Sequence, residues 1–306
     1  MQAKAQSNAG QRVRGMLMGI LGAACWGASG VLLNFLVDHY TVSNTWVGCV
    51  RMLIAGVVFM AIALATDRQR LFAMLKDRKA MTGVLLFGLF GMAIFQVTWM
   101  FAISTAGAAA ESLISQVFLV YIMIFNCRVN SRFPRKAEVI GVVLALTGVF
   151  FIATKGNPGT LAIGGTGLAW CLVDSVLMFL HNTLPLYALR EYGSLNVNAV
   201  GIMFAGIIMA PLAQPWNVAP GIDLFAIGIV AASALVGAVL GYVLSMGALE
   251  KVGPLLGSLT LVFDPVSAVL LSALVLGSSF TVFDIFGIAA ILSMIVVMTV
   301  AGESDA

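Results

Sequence analysis

Eight side chains able to carry charge, move a proton or bind a polar solute stand inside long apolar runs: Arg51, Gln96, Glu111, Gln116, Asp174, His181, Asn182 and Asp264. Such groups are costly in hydrocarbon, and their usual tasks there are binding a solute, relaying a proton or pairing with one another. Asp174 and His181 are seven residues apart and share one helix face, with Trp170 one turn before Asp174; that stripe suits a cavity wall, the alternative being a pair of buried groups satisfied by neighbouring helices. Arg51 keeps its charge and needs an anion, supplied by the protein or by a substrate. Facing a cavity with Asp174 or Asp264, it would hold the two ends of a zwitterion; tied to Asp264 alone, it would be structural. In "SLTLVFDPVSAVL" the carboxylate of Asp264 precedes Pro265, whose ring removes a backbone donor and can open the helix where a cavity needs exposed polar groups. Glu111 falls nearer the outer end of its run, a vestibule position. Trp26, Trp99 and Trp170 are placed to line an aromatic cavity near Asp174 and Gln96, or to pack; Trp46 and Trp216 sit by loops and suit an interfacial belt.

The elements that would position these residues follow from composition. The 306-residue chain is 61% hydrophobic and only 9% charged, with mean hydropathy +1.05, whereas a soluble globule carries about 25% charged residues. Apolar runs occupy 13–37, 44–65, 80–103, 107–127, 137–154, 164–187, 196–214, 224–248, 254–276 and 282–301. Each is long enough to cross a hydrocarbon core of roughly 30 Å as a helix. The connections are short and polar, as in "DHYTVSN" and "TDRQRLFAMLKDRK", which suits antiparallel neighbours. The expected fold is therefore an all-α membrane protein of ten transmembrane helices.

Positive charge sets the expected orientation. Lys4, Arg12, Arg14, Arg68, Arg70, Lys76, Arg78, Lys79, Arg128, Arg132, Arg135, Lys136, Arg190 and Lys251 fall on one side and Lys155 alone on the other, which puts both termini in the cytoplasm. The net charge of +3 is this topological bias, and no nucleic-acid partner is expected, because no basic patch is interleaved with aromatic side chains. A signal peptide or a lipoprotein signal at "LGAAC" fits poorly: the apolar run continues past Cys25, and Gly22 stands where a lipoprotein signal usually has Leu. Cys25, Cys49, Cys127 and Cys171 read as small apolar residues, with no spacing for a disulfide frame or a metal.

The chain also aligns with itself. At one constant offset Ala102 meets Ala248, Gly107 meets Gly253, Ser112 meets Ser258, Leu113 meets Leu259 and Gly141 meets Gly287. Two halves of five spans each, 1–155 and 156–306, must enter the membrane from opposite sides, which makes two inverted five-helix repeats with a substrate site expected near their interface at the midplane. Small-residue ridges along the first span (Gly15, Gly19, Ala23, Gly27) and the eighth (Gly237, Gly241, Ser245) allow close helix approach.

The segments "AACWGASGVLLNFL", "VRMLIAGVVF", "AISTAGAAAESLISQVF" and "GYVLSMGALEKVGPLLGSLTLVFDPVSAVLLSALVLG" together resemble the EamA family of the drug/metabolite transporter superfamily. Trp26-Gly27, Arg51 and Asp264-Pro265 carry most of the likeness, which runs over nearly the whole chain. It implies a ten-helix, two-repeat transporter of the bacterial inner membrane, exporting amino acids or other small metabolites. Two positions depart from the family: Leu276-Gly277-Ser278 stands where Leu-Gly-Glu is frequent, and "SQVFLVYIM" lacks a proline common in the fourth span.

Three function classes can be set against each other. A secondary transporter working by alternating access fits the repeat and the sparse polar residues; amines, nucleobases or drug-like cations are alternative cargoes. An enzyme would need a nucleophile with its base, or a metal constellation, and neither H-E-x-x-H nor G-x-S-x-G occurs. A channel or structural membrane protein is the third class. No G-x-x-x-x-G-K-[ST] loop for ATP is present, and no cofactor is expected. Glu111, Asp174, His181 and Asp264 make protons a candidate coupling ion, with facilitated diffusion the alternative. The expected partners are a small-molecule substrate and the lipid bilayer, and no pattern specifies an oligomeric state.

Overall fold

The structure is a computed structural model that describes residues 2–106, 114–160, 164–217, 222–276 and 281–303. Its helices are α1 (Gln2–His39), α2 (Asn44–Thr66), α3 (Arg68–Lys76), α4 (Arg78–Leu86), α5 (Phe95–Ala106), α6 (Phe118–Val129), α7 (Lys136–Thr154), α8 (Gly165–Thr183), α9 (Leu186–Ala213), α10 (Leu224–Ser233), α11 (Tyr242–Leu261), α12 (Phe263–Leu276) and α13 (Val282–Glu303). Two stretches of wider π-helix, Phe87–Ile94 and Ala234–Gly241, join α4 to α5 and α10 to α11. Among the described residues there is no strand.

Helix covers most of the described part of each expected apolar run, with turns at 116–117, 184–185 and 262. Among the described residues five stretches are both long and apolar enough to cross a membrane: Gly10–Leu33, Thr45–Thr66, Arg78–Trp99, Leu186–Ala213 and Leu224–Leu261. At about 1.5 Å per residue, the 38 residues of α1 reach some ~57 Å, well beyond a hydrocarbon core. Large apolar side chains such as Leu21, Val57, Val143, Leu212 and Leu235 point outward, as a lipid solvent allows. Inside, one core gathers Phe59, Phe87, Met92, Ile202 and Met246, and a second gathers Phe118, Ile122, Val149, Leu259 and Ile291.

Two connections differ from their reading as plain polar loops. The stretch after α2 winds into α3, because Leu71 and Met74 sit three apart and bury together while Arg68, Arg70 and Lys76 face out. Asp77 then caps α4, its Oδ1 accepting from the backbone N–H groups of Lys79 (2.9 Å) and Ala80 (3.2 Å). Its other oxygen accepts from the hydroxyls of Tyr187 (3.2 Å) and Tyr192 (3.0 Å), so this exposed corner clasps the start of α9. The backbone N–H of Ala80, with help from Tyr192, Lys79 and Tyr187, holds the Asp77 carboxyl below its ordinary range.

The other connection is the run "LREYGSL", which is helical up to Gly193, where φ 78° and ψ 163° break the axis. Gly253 does the same in α11 with φ 80° and ψ 173°, and Pro254 begins the next turn. Both glycines sit in a region that L side chains essentially never occupy. A third interruption separates α11 from α12 at Val262. Leu261, the last residue of α11, lies four before Pro265, so the proline has no N–H with which to satisfy its carbonyl. The interruption leaves Asp264 in the first turn of α12.

Candidate functional site

Polar residues converge where α1, α2, α8, the second π segment and the start of α11 meet. Ser29, fully within the bundle, donates through its hydroxyl to the Ser233 carbonyl (3.1 Å) at the end of α10. Arg51 donates from Nη2 to the Ser29 hydroxyl oxygen (2.7 Å) and more weakly to the same Ser233 carbonyl (3.5 Å). Gly237 makes room: a Cβ there would press on the Ser29 hydroxyl and lie 2.8 Å from Arg51 Nη2. Gln96 stacks its carboxamide against Gly48, whose imagined Cβ would lie 3.1 Å from it. Gly48 is one helical turn from Arg51 on α2, so the amide and the guanidinium share a face.

Tyr242 links this corner to a second. Its ring stands edge-on to Trp26 (5.4 Å between centroids) and 5.9 Å from His181. His181 is 3% exposed and nests among Phe87 (5.1 Å), Phe95 (6.4 Å) and Tyr242. Its Nδ1 lies 2.8 Å from the Gly91 carbonyl in the first π segment. A carbonyl only accepts, so Nδ1 carries the proton and Nε2, buried with no partner, is the basic nitrogen.

The stripe read along the sixth apolar run is real but divides its partners. Asp174, fully buried, accepts from the Thr98 hydroxyl (3.1 Å) on α5, whereas His181 meets Gly91, seven residues earlier than Thr98. Those two rungs mark antiparallel packing of α8 on α5 and the first π segment. Trp170 stacks on Phe101 (5.1 Å, 19° between planes), and Trp99 is half-buried beside Thr98. Trp26, Trp99 and Trp170 thus lie at separate contacts, and only Trp26 joins the Arg51 corner. Asp264, partly exposed, makes no ion pair or side-chain hydrogen bond with a described residue. Its turn is pinned to α1 by the Ser267 hydroxyl, which reaches the carbonyls of Asp264 (2.8 Å) and Ala23 (3.3 Å). Glu111 and the side chain of Pro265 lie outside the described residues.

The pairing of Arg51 with Asp264 or Asp174 is not formed; among the described residues the ion pairs are Arg132 with Glu138 and Lys155 with Asp284. Lys155, the one cation on the minority side, thus has its carboxylate. Trp46 is buried and donates from Nε1 to the Pro215 carbonyl (3.2 Å), so only Trp216, 67% exposed, fits an interfacial belt. The four cysteines are free thiols, and the described residues hold no cluster of three or more metal-ligating side chains.

Ser29, Ser233, Asn198 and Tyr242 escaped the sequence reading. Asn198 donates to the Tyr242 carbonyl (3.3 Å). Serines carry little signal in an apolar run, and the one available sign was the Gly237, Gly241, Ser245 ridge, since Gly241 is what seats Trp26.

A bundle of lipid-compatible helices enclosing a few polar side chains, with its helices interrupted by π segments, defines a polytopic membrane protein. The chain belongs to the EamA-like transporter family, whose model matches residues 13–154 and again 165–300, and the resemblance read from its sequence is borne out. A curated relative from Salmonella typhimurium strain LT2, the "Uncharacterized inner membrane transporter YicL", is 25% identical over 290 residues, covering 95% of this chain and 96% of the relative. A solved structure described as "Crystal structure of protein" has TM-score 0.78 at 16% identity, over 94% of this chain and 96% of that one; it shares the fold.

Proposed function

We propose that this protein is a secondary transporter of a bacterial inner membrane that moves a small metabolite, an amino acid or related compound, outward by alternating access. In this reading residues 1–155 and 156–306 are two inverted five-helix repeats, ten spans in all, with both termini cytoplasmic. Several observations support it. The family model matches once in each half. The π segments begin at Phe87 and Ala234, within one residue of the offset that pairs Ala102 with Ala248. The turn at Gln116–Val117 aligns with the turn at Val262 under that same offset. The inner-membrane assignment leans on the name of the Salmonella relative.

The observation that carries the proposal is the convergence of Trp26, Ser29, Arg51 and Tyr242 on the second π segment, where the two proposed repeats meet. Gln96, Trp99, Trp170, Asp174 and Asp264 complete the proposed path, with His181 bracing its wall, Glu111 at its outer end and Pro265 opening the helix behind Asp264. Protons are the proposed coupling ion, and Asp264, a carboxylate without a described partner, is their proposed carrier.

The test is uptake of labelled neutral amino acids into liposomes containing the purified protein, with and without an imposed pH gradient, for wild type and Asp264→Asn. Saturable, gradient-dependent uptake that Asp264→Asn abolishes is expected. Uptake unaffected by the substitution would remove Asp264 from the path. A steady ion current without saturation would replace the transporter by a channel.

A further inference from the structure

We infer that Arg51 is the anchor for a carboxylate on the transported molecule, so that the substrate class is carboxylate-bearing and amines or drug-like cations are excluded as principal cargo. The inference rests on the transporter reading and adds the chemical group that the site selects.

Three observations support it. First, Arg51 has no counterion among the described residues, although a guanidinium stays protonated and a buried charge without a partner is costly. Second, its donors are under-used. Nη2 reaches the Ser29 hydroxyl and the Ser233 carbonyl, both neutral acceptors, while Nε is buried with no acceptor at all and no described residue accepts from Nη1. The planar fork matches the paired oxygens of a carboxylate, and hydrogen bonds between two charged groups are roughly twice as strong as those between neutral ones.

Third, the surroundings are built around the guanidinium. Gly237 is the residue whose Cβ would strike both Ser29 and Nη2. The Ser29 hydroxyl spends its proton on Ser233, so its oxygen is left to accept from Arg51 and hold it in place. Trp26 and Tyr242 stand beside this corner edge to face, an apolar wall for the remainder of a small molecule. A cationic amine would meet a fixed positive charge here; a carboxylate completes the site.

The experiment measures binding and flux separately, using L-phenylalanine, its carboxamide and its N-acetyl derivative. The amide lacks the carboxylate and the N-acetyl compound lacks the ammonium group. Binding to purified full-length protein is read as a saturable rise in unfolding temperature. Wild type is expected to bind both carboxylates at least about tenfold more tightly than the amide. Arg51→Gln should erase that preference and Arg51→Lys should keep part of it. If Arg51→Gln does not fold, Arg51→Lys, which keeps the charge but loses the planar fork, should reduce the preference instead.

Amide bound as well as acid, absence of acid binding, or a folded Arg51→Gln that still prefers the acid would each overturn the inference. In liposomes, flux of amines alone would sink the anchor and leave the transporter reading standing. Carboxylate binding that depends on Arg51 without any flux would keep the anchor and sink the transporter reading.

Discussion

The two π segments use one backbone device for different ends. In the first, Phe87–Ile94, the Gly91 carbonyl is met by the neutral imidazole of His181 inside a shell of Phe87, Phe95 and Tyr242. In the second, Ala234–Gly241, the carbonyl just ahead of it, that of Ser233, is met by Ser29 and by the charge of Arg51, which has donors to spare. His181 comes from α8, whereas Ser29 comes from α1 and Arg51 from α2. One junction is a closed neutral contact that fixes the bundle; the other is left electrostatically open. Both carbonyls lie in or beside a π segment, and the side chain that arrives decides whether the result is a brace or a binding site.

Substitution separates the two. Gly91→Ala is expected to have the largest effect on stability, because its Cβ would lie 2.8 Å from the His181 Cα, a backbone atom that cannot swing away. A loss of about 1–3 kcal/mol fits overpacking of this kind, read as the unfolding midpoint in detergent; an unchanged midpoint would mean that the first junction is loose. His181→Phe comes next. It keeps the aromatic nest but strips the Gly91 carbonyl of its donor, at a cost of at least about 1 kcal/mol, with uptake kept within a fewfold. If uptake vanished while the protein stayed folded, His181 would be part of the path and the contrast between brace and site would fail.

Gly237→Ala should act on both properties. Its Cβ would lie 2.5 Å from the Ser29 Cβ, which is fixed to the α1 backbone, and 2.8 Å from Arg51 Nη2, so stability should fall by about 1–3 kcal/mol and substrate affinity by at least about tenfold; a stability loss with unchanged affinity would make the second junction a brace as well. The smallest effect concerns Asp77, which caps the helix leading into the first π segment. Its carboxyl sits below its ordinary range, so the cap contributes fully above the unfolded value and is lost as pH falls through the lower, folded value. Asp77→Asn should therefore lower stability slightly at neutral pH and flatten the acid limb of the stability profile, the two proteins converging at low pH; an unaltered acid limb would remove the cap from the account.

The sequence alone determined the solvent and the local backbone. Hydropathy demanded helices, because only internally bonded backbone survives in lipid; the residue before the break, Leu261, and the first turn of α12 follow from Pro265 being unable to donate; Gly193 and Gly253 mark sites where only glycine tolerates the bend. It also named Arg51, His181, Asp174 and Trp26 as worth attention, since charge and polarity in apolar runs stand out in one dimension. Partnership was decided by the tertiary structure. That Arg51 meets Ser29 and Ser233 rather than Asp264, that His181 meets a carbonyl ninety residues away, and that Tyr242 joins them depend on helix rotation and depth. Small packing contacts such as Gly48 beneath Gln96 and Gly237 beneath Arg51 set those, and an apolar sequence in an apolar solvent leaves them unspecified, because lipid gives almost no hydrophobic preference for which face turns inward.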